Sequence, residues 1–76
     1  MKDKYIAVAC GTAWELKSEP QGWIFRQMTD HQYGFSGHHR TAGDAIRSLL
    51  MDGAILVKTD GIRSFALDKS DASQIH

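Results

Sequence analysis

A single helical stretch constrains the fold of this chain most strongly, because the other patterned segments are typical of strands and turns. Residues 40–53, RTAGDAIRSLLMDG, carry apolar side chains at helical spacing. The side chains that would share one stripe are Ala42, Ala45, Ile46, Leu49 and Leu50. Thr41 suits an N-cap, Asp44 can complete a capping box, and Gly53 provides a left-handed stop. The sequence therefore predicts one amphipathic helix from Thr41 to Gly53.

The segments before and after this helix alternate in the manner of strands. The predicted strands lie at residues 4–10, 13–17, 23–28, 33–35, 54–58 and 62–67. Between the last two, Thr59-Asp60-Gly61 favours a hairpin with a type I′ turn. These elements predict an α+β two-layer sandwich, in which an antiparallel sheet of about five strands carries one helix in the order β-β-β-(β)-α-β-β.

Length and charge limit the class of protein. Seventy-six residues predict a single small domain, 1–76, in which the polar tail 68–76 is expected to fray. Nine basic and nine acidic side chains balance, so bulk charge favours neither nucleic acid nor a membrane surface. No stretch approaches the roughly 20 apolar residues of a membrane span. We therefore expect a cytoplasmic protein without membrane contact.

The width of the predicted sheet indicates an uncovered surface. Five strands at about 4.8 Å spacing span roughly 24 Å, whereas one helix is about 10–12 Å across. Some of the large apolar side chains should therefore stay exposed unless a second surface covers them. The candidates are Tyr5, Trp14, Trp23, Phe25, Tyr33 and Phe65. Exposed patches of this kind mark binding to a protein partner or to a second copy of the chain.

The sequence contains no pattern that indicates catalysis. His31, His38, His39 and Cys10 lack the spacing that preorganises metal ligands, so no metal or other cofactor is predicted. Cys10, which lies among apolar strand residues, is expected to be a buried structural thiol. Asp30, Asp44, Asp52 and Asp60 fall in turns or caps and form no acid–base pair. The chain is therefore predicted not to be an enzyme.

The favoured hypothesis is a small protein-binding module, such as an inhibitor or regulator of phage or mobile-element type. Its size is that of many such inhibitors, anti-CRISPR proteins included. Aromatic and arginine side chains dominate binding hot spots, which favours those near the fourth predicted strand, together with the two histidines beside them. The predicted partner-binding residues are Trp23, Arg26, Tyr33, Phe35, His38, His39 and Arg40.

The alternative hypothesis is a nucleic-acid-binding regulator in which sheet aromatics stack on bases. Its basic residues would be Arg26, Arg40, Arg47, Lys58 and Arg63. Residues 41–67, in which a helix, a glycine and a hairpin follow one another, resemble the recognition helix and wing of winged-helix domains. The forty residues before them are strand-like where that fold has helices. The order of strands and helix is also similar to that of small HicB-type antitoxins, whose partner is a toxin protein.

Overall fold

Six strands and two helices make up residues 3–75, the part of the chain that the computed structural model describes. The strands are β1 (Lys4–Ala9), β2 (Thr12–Glu19), β3 (Gly22–Gln27), β4 (Gly34–His39), β5 (Ile55–Thr59) and β6 (Ser64–Leu67). Helix α1 (Ala42–Met51) follows β4, and α2 (Lys69–Ala72) follows β6. The strands form one antiparallel sheet in the order β4-β3-β2-β1-β5-β6. The α+β class is confirmed, with six strands rather than about five.

Helix α1 begins and ends close to where its sequence signals predict. The Thr41 hydroxyl accepts a hydrogen bond from the Asp44 amide at 3.1 Å, as an N-cap does. The Asp44 carboxylate accepts a bond from Arg47 at 2.8 Å. At the other end Gly53 has φ +84°, and the Ala54 amide donates to the Leu49 carbonyl at 3.0 Å. This is a Schellman ending, which requires a residue that tolerates positive φ.

The hydrophobic core lies between α1 and one face of the sheet. Ala45, Ile46 and Leu49 of α1 are buried against side chains from four strands. Those strand residues are Ala7, Trp14, Phe25 and Leu56. The predicted alternation in β2 is confirmed, because Trp14 packs in this core while Glu15 lies on the other face. The Trp14 indole satisfies its N–H by donating to the Ala9 carbonyl at 3.1 Å.

Two turns differ from the sequence-based prediction. The two-residue turn with positive φ at both positions is Cys10-Gly11, between β1 and β2, with φ of 54° and 71°. Cys10 is therefore exposed at a hairpin tip, and the prediction of a buried thiol was wrong. The β5–β6 loop has four residues, 60–63, instead of a type I′ turn. There the Asp60 carboxylate accepts both the Ile62 and Arg63 amides at 2.8 Å, which favours the wider loop.

Strand β4 is longer than predicted because it contains a bulge. Trp23 pairs with His39 and Phe25 with Phe35, so three residues of β4 lie opposite one residue of β3. Two of the three, Ser36 and Gly37, have φ of 61° and 79°. The bulge keeps both histidines within the strand, where the sequence indicated a loop leading into the helix.

The segment after β6 differs from the expected frayed tail. Asp68 and Asp71 form a reciprocal capping box that starts α2, and Ala72 is fully buried. Arg47 of α1 donates to the carbonyls of Ala72 at 3.2 Å and Ile75 at 3.1 Å. These bonds attach the end of the chain to α1. His76, the last residue of the predicted tail, lies outside the described residues.

The resemblance to winged-helix domains does not extend to the topology. Helix α1 and the β5–β6 hairpin follow one another as the resemblance implies. However, β5 pairs with β1 inside the six-stranded sheet, and the residues before α1 form four strands. The hairpin is therefore part of the sheet and not a projecting wing.

Replacing Gly43 tests whether the chain end packs on α1. A Cβ at this position would meet the Ile75 carbonyl, a backbone atom that must then move. We expect Gly43→Ala to lower the free energy of unfolding, although alanine is the better helix former by roughly 1 kcal/mol. Urea unfolding and amide exchange at 69–75 are the measurements. Ser48→Ala, in the same helix, is the control and should not increase exchange in the tail. Stabilisation by Gly43→Ala would contradict this packing.

Candidate interaction surface

The sheet face opposite α1, here called the open face, is the candidate functional surface. Because side chains alternate along each strand, the registers assign one set of residues to it. Its main side chains are Lys4, Ile6, Val8, Ala13, Glu15, Lys17, Glu19, Ile24, Arg26, His38, Ile55, Val57, Thr59, Ser64 and Ala66. The charged members lie on β2, β3 and β4, except for Lys4 at the start of β1, and most of the apolar members lie on β1, β5 and β6.

The polar half, on β2, β3 and β4, is a network centred on Glu19. Arg26 donates through Nε to Glu19 Oε2 at 2.9 Å and through Nη2 to Oε1 at 2.7 Å. His38 Nε2 lies 2.9 Å from the same Oε1 atom. The fork-shaped Arg–carboxylate geometry is the strongest form of surface ion pair. The bulge in β4 places His38 in this network, since it sets which residues of that strand lie beside β3.

This network covers an apolar residue of the same face. Across β2 and β3, Arg26 pairs with Glu15, Ile24 pairs with Lys17, and Gly22 pairs with Glu19. The ion pair from Arg26 to Glu19 therefore passes diagonally over the row that contains Ile24. Ile24 is only 3% exposed. Its Cδ1 atom occupies the space where a Cβ on Gly34 would lie, so the glycine also makes room for it. In this half, the protein shields its own apolar side chain from water.

The hydrogen bonds of this network change the pKa values of its members. Hydrogen bonds from Arg26 and then from His38 lower the pKa of Glu19 from 4.5 to about 2. The same bond to Glu19 raises the pKa of Arg26. The carboxylate therefore stays ionised through the neutral and mildly acidic range. As a charged and fully bonded group, it suits orientation and recognition rather than proton transfer.

The apolar half lies on β1, β5 and β6, together with the start of β2. Val8 pairs directly with both Ala13 and Ile55, and Ile6 pairs with Val57. Val8 is 44% exposed and Ile55 is 64% exposed. Ala66, beside Val57 on β6, is also exposed. In contrast to Ile24, Val8, Ile55 and Ala66 are exposed, and together with the half-buried Ile6 and Val57 they form one contiguous apolar patch.

The structure distributes the predicted partner-binding residues over several places. Arg26 and His38 meet on the open face. Trp23 and Phe35 pack against the core on the α1 side, and His39 is the strand partner of Trp23. Tyr33 and Arg40 are exposed just before and just after β4.

The basic residues of the nucleic-acid hypothesis lie on separate elements. Arg26 pairs with Glu19, Arg47 pairs with Asp44 at 2.8 Å, and Lys58 pairs with Asp3 at 3.3 Å. Arg40 and Arg63 are exposed, one between β4 and α1 and the other in the β5–β6 loop. The five side chains therefore form no single basic stripe.

Large apolar side chains remain exposed, as the width of the sheet predicts. Of the six candidates, Tyr33 and Phe65 are exposed, Tyr5 and Trp23 are half-buried, and the remaining two lie in the core. Sequence reasoning missed Glu19, Val8 and Ile55 as surface residues of interest. The signal for the last two was available, because β1 and β5 carry apolar residues on both faces.

The fold is a six-stranded antiparallel α+β domain, and comparison with known proteins assigns it to no family. Comparison with protein families, with curated proteins and with solved structures finds no match to this chain. Within residues 3–75, no three His, Cys, Asp or Glu side chains gather as metal ligands would. None of the helices in that range is long and apolar enough to cross a membrane.

Acid titration tests the Glu19 network. The folded-state pKa of Glu19 lies below its unfolded value, so its contribution to stability is present above pH 4.5 and is lost as the pH falls towards about 2. We expect the urea midpoint of the wild-type chain to fall over this interval, and Glu19→Gln to flatten that fall. Glu15→Gln removes a carboxylate from the same face but leaves the network intact, so the wild-type slope should persist. Equal slopes in wild type and Glu19→Gln would refute the assignment.

Proposed function

We propose that this chain is a small, non-catalytic protein-binding module that acts through its open face. The exposure of Val8 and Ile55, which pair on two inner strands of the sheet near the β1–β2 turn, is the observation that carries the proposal. Strand residues on a solvated sheet face are ordinarily polar, and adjacent apolar ones mark an interaction site. The patch is flat and lacks hydrogen-bonding side chains, so it suits an apolar protein surface better than a small polar ligand.

The energetics fit modest binding. Full burial of a Val or Ile side chain is worth roughly 1.5–3 kcal/mol, and Val8 and Ile55 are already partly covered. Ile6 and Val57 are half-buried and add less. A handful of such residues forms the centre of a weak interface, while the charged residues around it contribute selectivity.

The polar half gives such an interface a defined rim. Arg26 and His38 are held in place by Glu19 before any partner arrives, so little side-chain freedom is lost on contact. A module of this kind works by occupying a surface of its partner, as small inhibitors and regulators do. Inhibition or regulation by occupancy is accordingly the mode of action that we propose.

Affinity capture with matched variants tests this proposal. The tagged wild-type chain, Val8→Lys and Ile62→Lys are compared as baits in an extract of the source cells to which untagged chain has been added. Ile62 is 82% exposed at the tip of the β5–β6 loop, away from the patch, so its variant controls for the added charge. We expect proteins retained by the wild type to be retained by Ile62→Lys and lost with Val8→Lys, because a lysine would be buried without a partner.

The same experiment addresses nucleic acid. Retention that depends on Val8 should survive nuclease treatment of the extract and should change little with salt. Retention that disappears with nuclease and falls steeply with salt would indicate the nucleic-acid hypothesis instead. If Val8→Lys retains the same proteins as the wild type, the open face is not the binding surface.

A further inference from the structure

A cavity lies on the α1 side of the sheet, away from the open face, between the strands and the end of the chain. Its volume is about 410 Å³, and we call it the tail cavity. Strands β1, β5 and β6 provide one wall, and α2 with the residues after it provides the other. The lining side chains are Tyr5, Lys58, Leu67, Asp71, Gln74 and Ile75. Small-molecule sites usually enclose roughly 300–1,000 Å³, so the tail cavity has the size of a site for a small ligand.

We propose that the tail cavity binds a small zwitterionic ligand, namely an apolar amino acid or a dipeptide of such residues. The ligand carboxylate contacts Lys58 on the sheet, and the ligand ammonium contacts Asp71 on α2. The apolar side chain of the ligand lies against Leu67 and Ile75. This site is separate from the open face, and it does not depend on the proposed function.

Lys58 and Asp71 line the tail cavity from different elements and carry opposite charges. Lys58 pairs with Tyr5 in the sheet and lies two residues from Leu56 of the core, so it points to the α1 side. Asp71 belongs to α2, which packs against α1 and β6. Within residues 3–75 no salt bridge joins the two side chains, since each is bonded to another group. The cavity therefore holds a cation and an anion apart.

Both charged groups keep hydrogen-bonding capacity for a ligand. The Lys58 ammonium has three donors, and its contact with Asp3 Oδ2 at 3.3 Å occupies one of them. The hydrogen bond to Asp3 and the charge of Asp3 raise the pKa of Lys58, so the ammonium is charged at neutral pH. Asp71 accepts the Asp68 amide through Oδ2 at 3.1 Å. Its other oxygen, Oδ1, is bonded to no group within the described residues and can accept an ammonium.

The charge around the tail cavity selects a zwitterion. Asp3 lies beside Lys58, and Asp68 caps the same helix as Asp71, so one ammonium is surrounded by three carboxylates. A phosphate or another multiply charged anion is repelled by this arrangement. An apolar molecule would cover Lys58 and Asp71 without bonding either, which is costly. A ligand with one group of each sign satisfies both side chains and adds no net charge.

The remaining lining residues define the body of the ligand. Leu67 and Ile75 are half-buried and pack against the hydrophobic core, as does Tyr5. An aliphatic or aromatic side chain that packs against these residues is removed from water, which is favourable. The Gln74 amide offers both a donor and an acceptor to the polar atoms of the ligand. The lining therefore favours an apolar amino acid over glycine.

A bound ligand joins the sheet to the end of the chain, because Lys58 and Asp71 belong to different elements. Helix α2 has only four residues, and Arg47 attaches it and Ile75 to α1 through two hydrogen bonds. A ligand that bridges β5 and α2 adds contacts that exist only when the tail is in place. It should therefore slow amide exchange at residues 69–75.

An NMR titration of the full chain with leucine and with leucylleucine tests the ligand class. We expect the amides of Tyr5, Lys58 and residues 71–75 to shift together, and the tighter of the two probes identifies the length that fits. Leucinamide lacks the carboxylate and N-acetylleucine lacks the ammonium, so each should bind about tenfold more weakly than leucine. Glycine, which lacks the apolar side chain, should also bind more weakly.

Two variants assign the contacts. Lys58→Met keeps an unbranched side chain and should weaken leucine binding by about tenfold while changing leucinamide binding little, because leucinamide has no carboxylate to lose. Asp71→Asn keeps an oxygen for the Asp68 amide and should weaken leucine but not N-acetylleucine. Lys17→Met removes a strand lysine from the open face and should bind leucine like the wild type. Circular dichroism verifies that each variant is folded.

Three results would overturn the proposal. No response of the tail-cavity residues to any probe would show that the cavity is not a site for this class of ligand. Leucinamide that binds as tightly as leucine would replace the zwitterion by a simple amine. Equal binding by Lys58→Met and the wild type would remove the contact with the carboxylate. None of these results affects capture through Val8, because Val8 lies on the other face of the sheet.

Discussion

The packing of α1 on one face of the sheet is the contact on which the rest of this molecule depends. Ile46 and Leu49 are buried against side chains from β1, β2, β3 and β5, and α2 is held to the same side through Arg47. Both helices thus cover one face. The core is two layers thick, and the other face must meet water or another molecule with its own side chains.

The two halves of that second face differ in whether their apolar side chains are covered. On β2 and β3 a bidentate ion pair, which His38 extends, crosses over Ile24 and shields it. On β1 and β5 the structure shows no equivalent cover over Val8 and Ile55 among the described residues. The same six-stranded sheet therefore carries a polar region whose side chains are hydrogen-bonded to one another beside an apolar region that is exposed to solvent. The chain can cover an apolar residue of this face with polar side chains, as it does at Ile24. The exposure of Val8 and Ile55 is therefore not explained by a shortage of polar residues.

Local patterns predicted much of the fold, whereas the open face depends on long-range geometry. The cap at Thr41, the stop at Gly53 and the alternation through β2 are short-range signals, and the structure follows them. The Glu19–His38 contact joins residues 19 positions apart and depends on the bulge in β4, whose left-handed Ser36 has no strong sequence signature. The prediction of a type I′ turn at Asp60-Gly61 was wrong for a local reason, since the Asp60 carboxylate accepts the Ile62 and Arg63 amides and supports a wider loop.

The residues of the apolar half are not required by the strands that contain them. Threonine shares the branched Cβ of valine and isoleucine and is equally at home in a strand, so β-propensity can be met at positions 8 and 55 without exposing a hydrocarbon surface. Threonine at these two positions would leave the core packing unchanged, because both side chains point away from α1. Exposed apolar groups on a sheet face also raise the risk of aggregation. Strand formation and the core therefore do not require hydrocarbon side chains at positions 8 and 55, which supports the proposal that the apolar half is a binding surface.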